Sequence, residues 1–135
     1  MHSLFFDFIS RDGFVLSGDV LNWGLHEEDV LNAFTHVIFT YVPWEEREKR
    51  LRAREQGRFG SRVLMGGDMH SLHEGFIEWS RCYDSGTMPG RNKQSQLEFL
   101  EKIKNKGGRV LKIDGLLTAE DILSRSLAFV EDART

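Results

Sequence analysis

Hydrophobic and polar positions along this chain alternate between two periods, and each change of period marks an element. Leu4, Phe5, Phe8 and Ile9 recur at a helical spacing, which predicts a short helix over residues 3–11. Asp12-Gly13 is a turn signal. Phe14-Val15-Leu16-Ser17 then predicts a short strand that ends at Gly18. Turn formers with Asp19, Asn22, Trp23 and Gly24 lead to a short acidic helix over residues 26–33. Val37 to Val42 is almost continuously apolar and rich in β-branched and aromatic residues, which predicts a strand covered on both faces. Pro43 follows, a residue tolerated in a first helical turn. Beyond it Glu45, Glu46 and Glu48 precede a set of arginines, an order that suits the dipole of a helix over residues 44–57.

Gly57, Gly60, Gly66 and Gly67 predict a mobile loop over residues 57–70, closed by a capping box at Ser71-x-x-Glu74. In the helix after it Leu72, Phe76, Trp79 and Tyr83 recur at i, i+4, i+7 and i+11 and predict one continuous apolar face. Residues 85–92 read as loop. A second capping box, Ser95-x-x-Glu98, opens a helix that buries Leu97, Leu100 and Ile103 and stops at Gly107-Gly108. Val110 to Ile113 predicts another strand, Asp114-Gly115 a turn, and Thr118-x-x-Asp121 the cap of a last helix with Ile122, Leu123, Leu127 and Val130 inward. Strands alternating with helices predict a single α/β domain over residues 1–135 with crossover helices and a three-stranded parallel core.

Composition narrows the class. At 135 residues the chain can build a real core, and 40% apolar with 29% charged residues is ordinary for a soluble domain. A net charge of −3 argues against a dedicated nucleic-acid binder. Cys82 is the only cysteine, so no intrachain disulfide can form, and a reducing, cytoplasmic location is expected. The N-terminal apolar run lacks a basic flank and is broken by Asp7, so it does not read as a signal peptide. No apolar run reaches membrane-spanning length, and no membrane partner is expected.

Against the acidic whole, six arginines crowd between Arg47 and Arg62. In a helix Arg47, Arg50, Arg54 and Arg58 share one face, a row able to hold phosphate. The same row also reads as a solvated face laced with Glu45, Glu46, Glu48 and Glu55. Asp68, His70 and His73 form D-x-H-x-x-H, a set that could ligate zinc or could equally be cap and surface residues, and no metal is expected there. Trp79, Phe76 and Tyr83 read as core. Asp19 and Trp23 lie just past a predicted strand end, where open α/β sheets bind ligands, and are substrate-side candidates, although Asp19 reads slightly better as a plain turn aspartate. Cys82 sits beside the apolar face and reads as an inert small hydrophobe.

Four stretches taken together carry a family resemblance: VLSGDVLNWG, VIFTYVPWEEREKRLRARE, RFGSRVLMGGDMHSLHEGFIEWSRCYD and VLKIDGLLTAEDI. In this order the chain resembles the C-terminal two-thirds of a nucleotide-kinase-like P-loop protein, of a bacterial adenylate-kinase-like group. The resemblance implies a three-layer P-loop-kinase-like parallel sheet, truncated to about three strands, with flanking helices and a lid over about residues 55–72. It implies ATP and Mg²⁺ as cofactors and a nucleotide or other small-molecule phosphate acceptor. Arg54, Arg58 and Arg62 match the catalytic lid arginines, Asp114, Gly115 and Leu116 the adenine-side loop, and Arg91 a basic substrate-side position. The departure is the phosphate-cradling G-x-x-x-x-G-K-[ST] loop, for the chain contains no Gly-Lys pair. The expectation is therefore the lid and adenine-side part of an ATP-dependent kinase-like protein, inactive alone, explained by a truncated gene or a late start codon. The alternative is a non-catalytic α/β remnant that self-associates or pairs with a partner through an exposed sheet edge.

Overall fold

A computed structural model describes residues 13–19, 21, 26–87 and 92–132. The expected helix over residues 3–11, Trp23 and Arg91 lie outside the described residues. In chain order the elements are α1 (Glu27–Ala33), β1 (His36–Tyr41), α2 (Trp44–Phe59), a 3₁₀ turn (Gly60–Val63), α3 (His70–Ser85), α4 (Lys93–Asn105), β2 (Arg109–Asp114) and α5 (Ala119–Asp132). β1 and β2 pair in parallel, with His36 opposite Arg109 and Tyr41 opposite Asp114. The connection between them carries α2, α3 and α4.

This corrects the expected architecture. The described residues are 63% helical and their sheet has two strands, so no three-layer P-loop-kinase-like sheet of about three strands forms. The missing strand is Phe14–Ser17, which has no strand partner among the described residues. Its apolar side chains pack on α1 instead. Leu16 lies against Val30, and the Phe14 ring meets Phe34 edge-on at 5.6 Å, while Val15 is left 93% exposed. Four residues gain too few ladder hydrogen bonds to offset their ordering, so side-chain contacts decide where they lie.

The core is small. Leu100 and Ile103 of α4 are its most buried side chains, and Ile113 of β2, Val63, Ile77, Val30 and Leu31 are buried as well. Asn92 caps α4, its side chain accepting from the Ser95 amide at 2.9 Å while Ser95 answers the Asn92 amide. The expected Ser95-x-x-Glu98 box therefore sits one turn too far along, with Ser95 as its returning member. At the other end Gly107, at φ 87, takes the left-handed turn that stops the helix. Thr118 caps α5 as expected, accepting from the Asp121 amide at 3.1 Å. Lys106 ties α4 to α1 through Glu28 at 2.7 Å and Asn32 at 3.1 Å, and Lys102 pairs with Glu27.

Two helices turn differently from their patterns. The face of α3 that goes inward carries His73, Ile77 and Ser80, while Leu72 and Trp79 stay exposed. No side chain caps this helix. Glu74, expected in a capping box with Ser71, instead takes Arg52 of α2 at 2.7 Å. α5 buries none of its residues, and the expected inner face leaves Leu123 59% and Leu127 51% exposed. The glycine-containing segment after α2 is not a long open loop. The helix runs to Phe59, the 3₁₀ turn follows, and the Met69 amide bonds the Arg62 carbonyl at 2.9 Å.

Candidate functional site

Parallel strands place their carboxyl ends together, and loops leaving those ends open a crevice beside the sheet. Here that crevice lies at the end of β1, a cleft of about 400 Å³ lined by Asp19, Tyr41, Val42, Arg47, Ser80, Tyr83 and Gln96 among others. Its organising group is Arg47, one turn into α2. The guanidinium donates to the Val42 carbonyl at 2.8 Å, to the Ser80 carbonyl at 3.3 Å and to Asp84 at 2.6 Å. It also lies 5.0 Å above the Trp44 ring and 5.2 Å from that of Tyr83. The other Asp84 oxygen accepts from the Tyr41 hydroxyl at 2.6 Å. One carboxylate at the end of α3 thus joins the end of β1 to the start of α2.

A second chain of bonds closes the opposite wall. The Tyr83 hydroxyl donates to the Gln96 side-chain carbonyl, and the Gln96 amide donates to Asp19 at 3.0 Å. The other Asp19 oxygen accepts from the Leu21 amide at 2.9 Å. The Lys93 ammonium stands 4.1 Å over the Tyr41 ring.

Burial acts on Asp84 to raise its pKa, but the Tyr41 hydroxyl, the Arg47 guanidinium and Lys93 together bring it below the usual carboxylate range. Tyr41 is raised, first by its hydrogen bond to the Asp84 carboxylate. Desolvation pushes Tyr83 to about 12 against the pull of Arg47. Both phenols therefore stay protonated at neutral pH and serve as hydrogen-bond groups, not bases. The cleft can bind and orient a small polar ligand through an anchored arginine, two phenols and an amide, with the Lys93 ammonium beside it over the Tyr41 ring.

The sequence-derived candidates fall in three places. Asp19 is in this cleft. Arg54 and Arg58 line a separate cavity between α2 and α3, where both flank Glu55, at 2.9 Å and 4.0 Å. Arg62 reaches neither, forming a two-pronged pair with Asp68 at 2.9 and 3.0 Å on the surface. Asp114, Gly115 and Leu116 form the turn after β2, held by the Gly115 amide on the Tyr41 carbonyl at 2.7 Å and the Leu116 amide on Asp114 at 2.9 Å. Of the row Arg47, Arg50, Arg54 and Arg58, Arg47 turns inward while Arg50 pairs with Glu46 at 3.0 Å. The Asp68, His70 and His73 trio is drawn apart. Asp68 holds Arg62, His70 bonds the Val63 carbonyl at 3.0 Å, and His73 is buried toward the cavity. Among the described residues no group of three His, Cys, Asp or Glu side chains could hold a metal ion.

This chain is similar to the Bacillus subtilis (strain 168) protein named Uncharacterized protein YqaC. The two are 29% identical over 124 residues, which is 92% of this chain and 66% of the relative. The chain thus spans just under two thirds of the relative's length. No family model and no solved structure matches the chain. Among the described residues no helix is long and apolar enough to cross a membrane.

Sequence reasoning missed Asp84, Lys93 and Gln96, and it took Tyr83 for core. Asp84 lies 37 positions from Arg47, and Gln96 lies 77 from Asp19. A pairing across such separations leaves no local pattern. The one available signal was an arginine a single turn after a strand end.

Proposed function

We propose that the cleft at the end of β1 is the acceptor side of a phosphotransferase-type protein acting on a nucleotide or another small molecule bearing a hydroxyl or phosphate. What carries this reading is Arg47, locked by Asp84 and two carbonyls at the carboxyl end of a parallel strand. A cation fixed in that position meets an anionic or hydroxylated ligand at little further cost in order. Lys93 and Gln96, on the first turn of α4, supply the adjustable contacts. ATP and Mg²⁺ enter only through the resemblance, with Asp114, Gly115 and Leu116 as its adenine-side turn and Arg54, Arg58 and Arg62 as its lid arginines. The chain has no Gly-Lys pair to form a phosphate-cradling loop, so no step is drawn through ATP and this chain alone is expected to transfer no phosphoryl group.

The test is calorimetry of the chain against nucleoside monophosphates and sugar phosphates, repeated on Lys93→Ala and Gln96→Ala. The reading expects binding that both changes weaken by about tenfold, in line with loss of a charge-assisted contact. Binding that ignores both substitutions, or none at all, removes the cleft from consideration.

A second reading, a non-catalytic protein that self-associates, draws on a different observation. α5 turns Leu123, Leu127 and Val130 to solvent, and each strand has one edge without a strand partner among the described residues.

A further inference from the structure

Away from the cleft, α2 and α3 diverge around a cavity of about 660 Å³, within the size range of small-molecule sites. One wall is aromatic. Phe76 and Trp79 stack at 6.0 Å with 29° between their planes, and Trp79 is 47% exposed. The other wall carries Arg54 and Arg58, which share Glu55, so the three groups leave one positive charge at the rim. At the base lies His73, 8% exposed. Flat apolar wall, a single net cation and a largely buried imidazole together define a chemistry.

We infer that this cavity binds a small amphiphilic monoanion, a flat apolar body bearing one carboxylate-like head, with the body against Phe76 and Trp79 and the head toward Arg54, Arg58 and His73. The site borders the β1 cleft at Trp79, which lines both, but otherwise has its own lining and does not depend on the phosphotransferase reading. Gly75 offers a clean obstruction, since it lines the cavity and a Cβ added there would meet nothing within 4 Å. It also replaces the poorest helix former short of proline.

Calorimetry of the full chain with naphthalene-2-carboxylate, and with its neutral carboxamide, tests this. The carboxylate is expected to bind one per chain, about tenfold tighter than the amide. The double variant Arg54→Gln, Arg58→Gln is expected to bring the carboxylate down to the affinity of the amide, whose own binding stays the same. Gly75→Leu is expected to abolish binding of both without lowering the melting temperature. No binding of the carboxylate, equal affinity for the two probes, or binding that survives Gly75→Leu would each overturn the inference.

Discussion

Asp84 does the most at the scale of a single residue. Its two oxygens hold Tyr41 at the end of β1 and Arg47 at the start of α2, beside the bonds of Arg47 to the Val42 and Ser80 carbonyls. Asp84→Asn keeps the shape but leaves the half-buried guanidinium without its counter-charge. It is expected to cost about 1–3 kcal/mol in a denaturant titration, the range for a buried polar partner left unmatched. The pair also sets an acid limit. The folded pKa of Asp84 lies below its ordinary 3.8, so the pair's contribution is complete above that value and is lost as pH falls through the depressed one. Tyr83 has the opposite sign. Its pKa rises from 10.0 to about 12 on folding, so the contribution is complete below pH 10 and is lost as pH climbs toward 12. Chemical denaturation in steps from pH 9 to 12 should show stability falling in the parent chain, and falling less in Tyr83→Phe.

Between elements, the segment joining α2 and α3 is set by one close approach. Gly67 stands where a Cβ would fall 2.6 Å from the Ser61 carbonyl oxygen and closer still to that of Arg62. Gly67→Ala must push the 3₁₀ turn away from α3, and about 1–3 kcal/mol is expected from such overpacking, read as a lower thermal midpoint. α4 is the helix on which the rest of the core depends. Leu100→Ala, at one of its two most buried positions, should cost about 2–5 kcal/mol by urea unfolding. These two elements also show where pattern reading stops. Apolar spacing located α3, but not which stripe faces inward, where His73, Ile77 and Ser80 are buried and Leu72 and Trp79 are exposed. Spacing gave the inner face of α4, where Leu100 and Ile103 are the most buried side chains, while its start lies one turn before the expected cap.

For the whole molecule, a two-stranded parallel sheet is an unusual thing to leave alone, since such sheets are ordinarily covered on both faces. Here α5 lies against β2 and turns Leu123, Leu127 and Val130 outward. If that face joins two copies, light scattering should report a dimer in the parent chain, and Leu123→Glu with Leu127→Glu should return it to monomer. A parent chain that scatters as a monomer at high concentration sets the self-association reading aside. The similarity to YqaC bears on size alone, for 66% of that relative is matched.

What the sequence determined by itself is local. The strand after α1, the arginine-bearing helix, the glycine stop of α4, the turn at Asp114-Gly115 and the Thr118 cap are all encoded within a few residues, because propensity, dihedral freedom and capping act over one turn. The tertiary structure alone decided which partners those elements meet. It set Phe14 and Leu16 on a helix and not in a sheet. It turned Arg47 inward to Asp84 while Arg54 and Arg58 went to another cavity, and it left the apolar stripe of α5 in solvent. Each outcome rests on contacts between residues far apart in the chain, where the gain from burial or ion pairing is weighed against every alternative pairing at once.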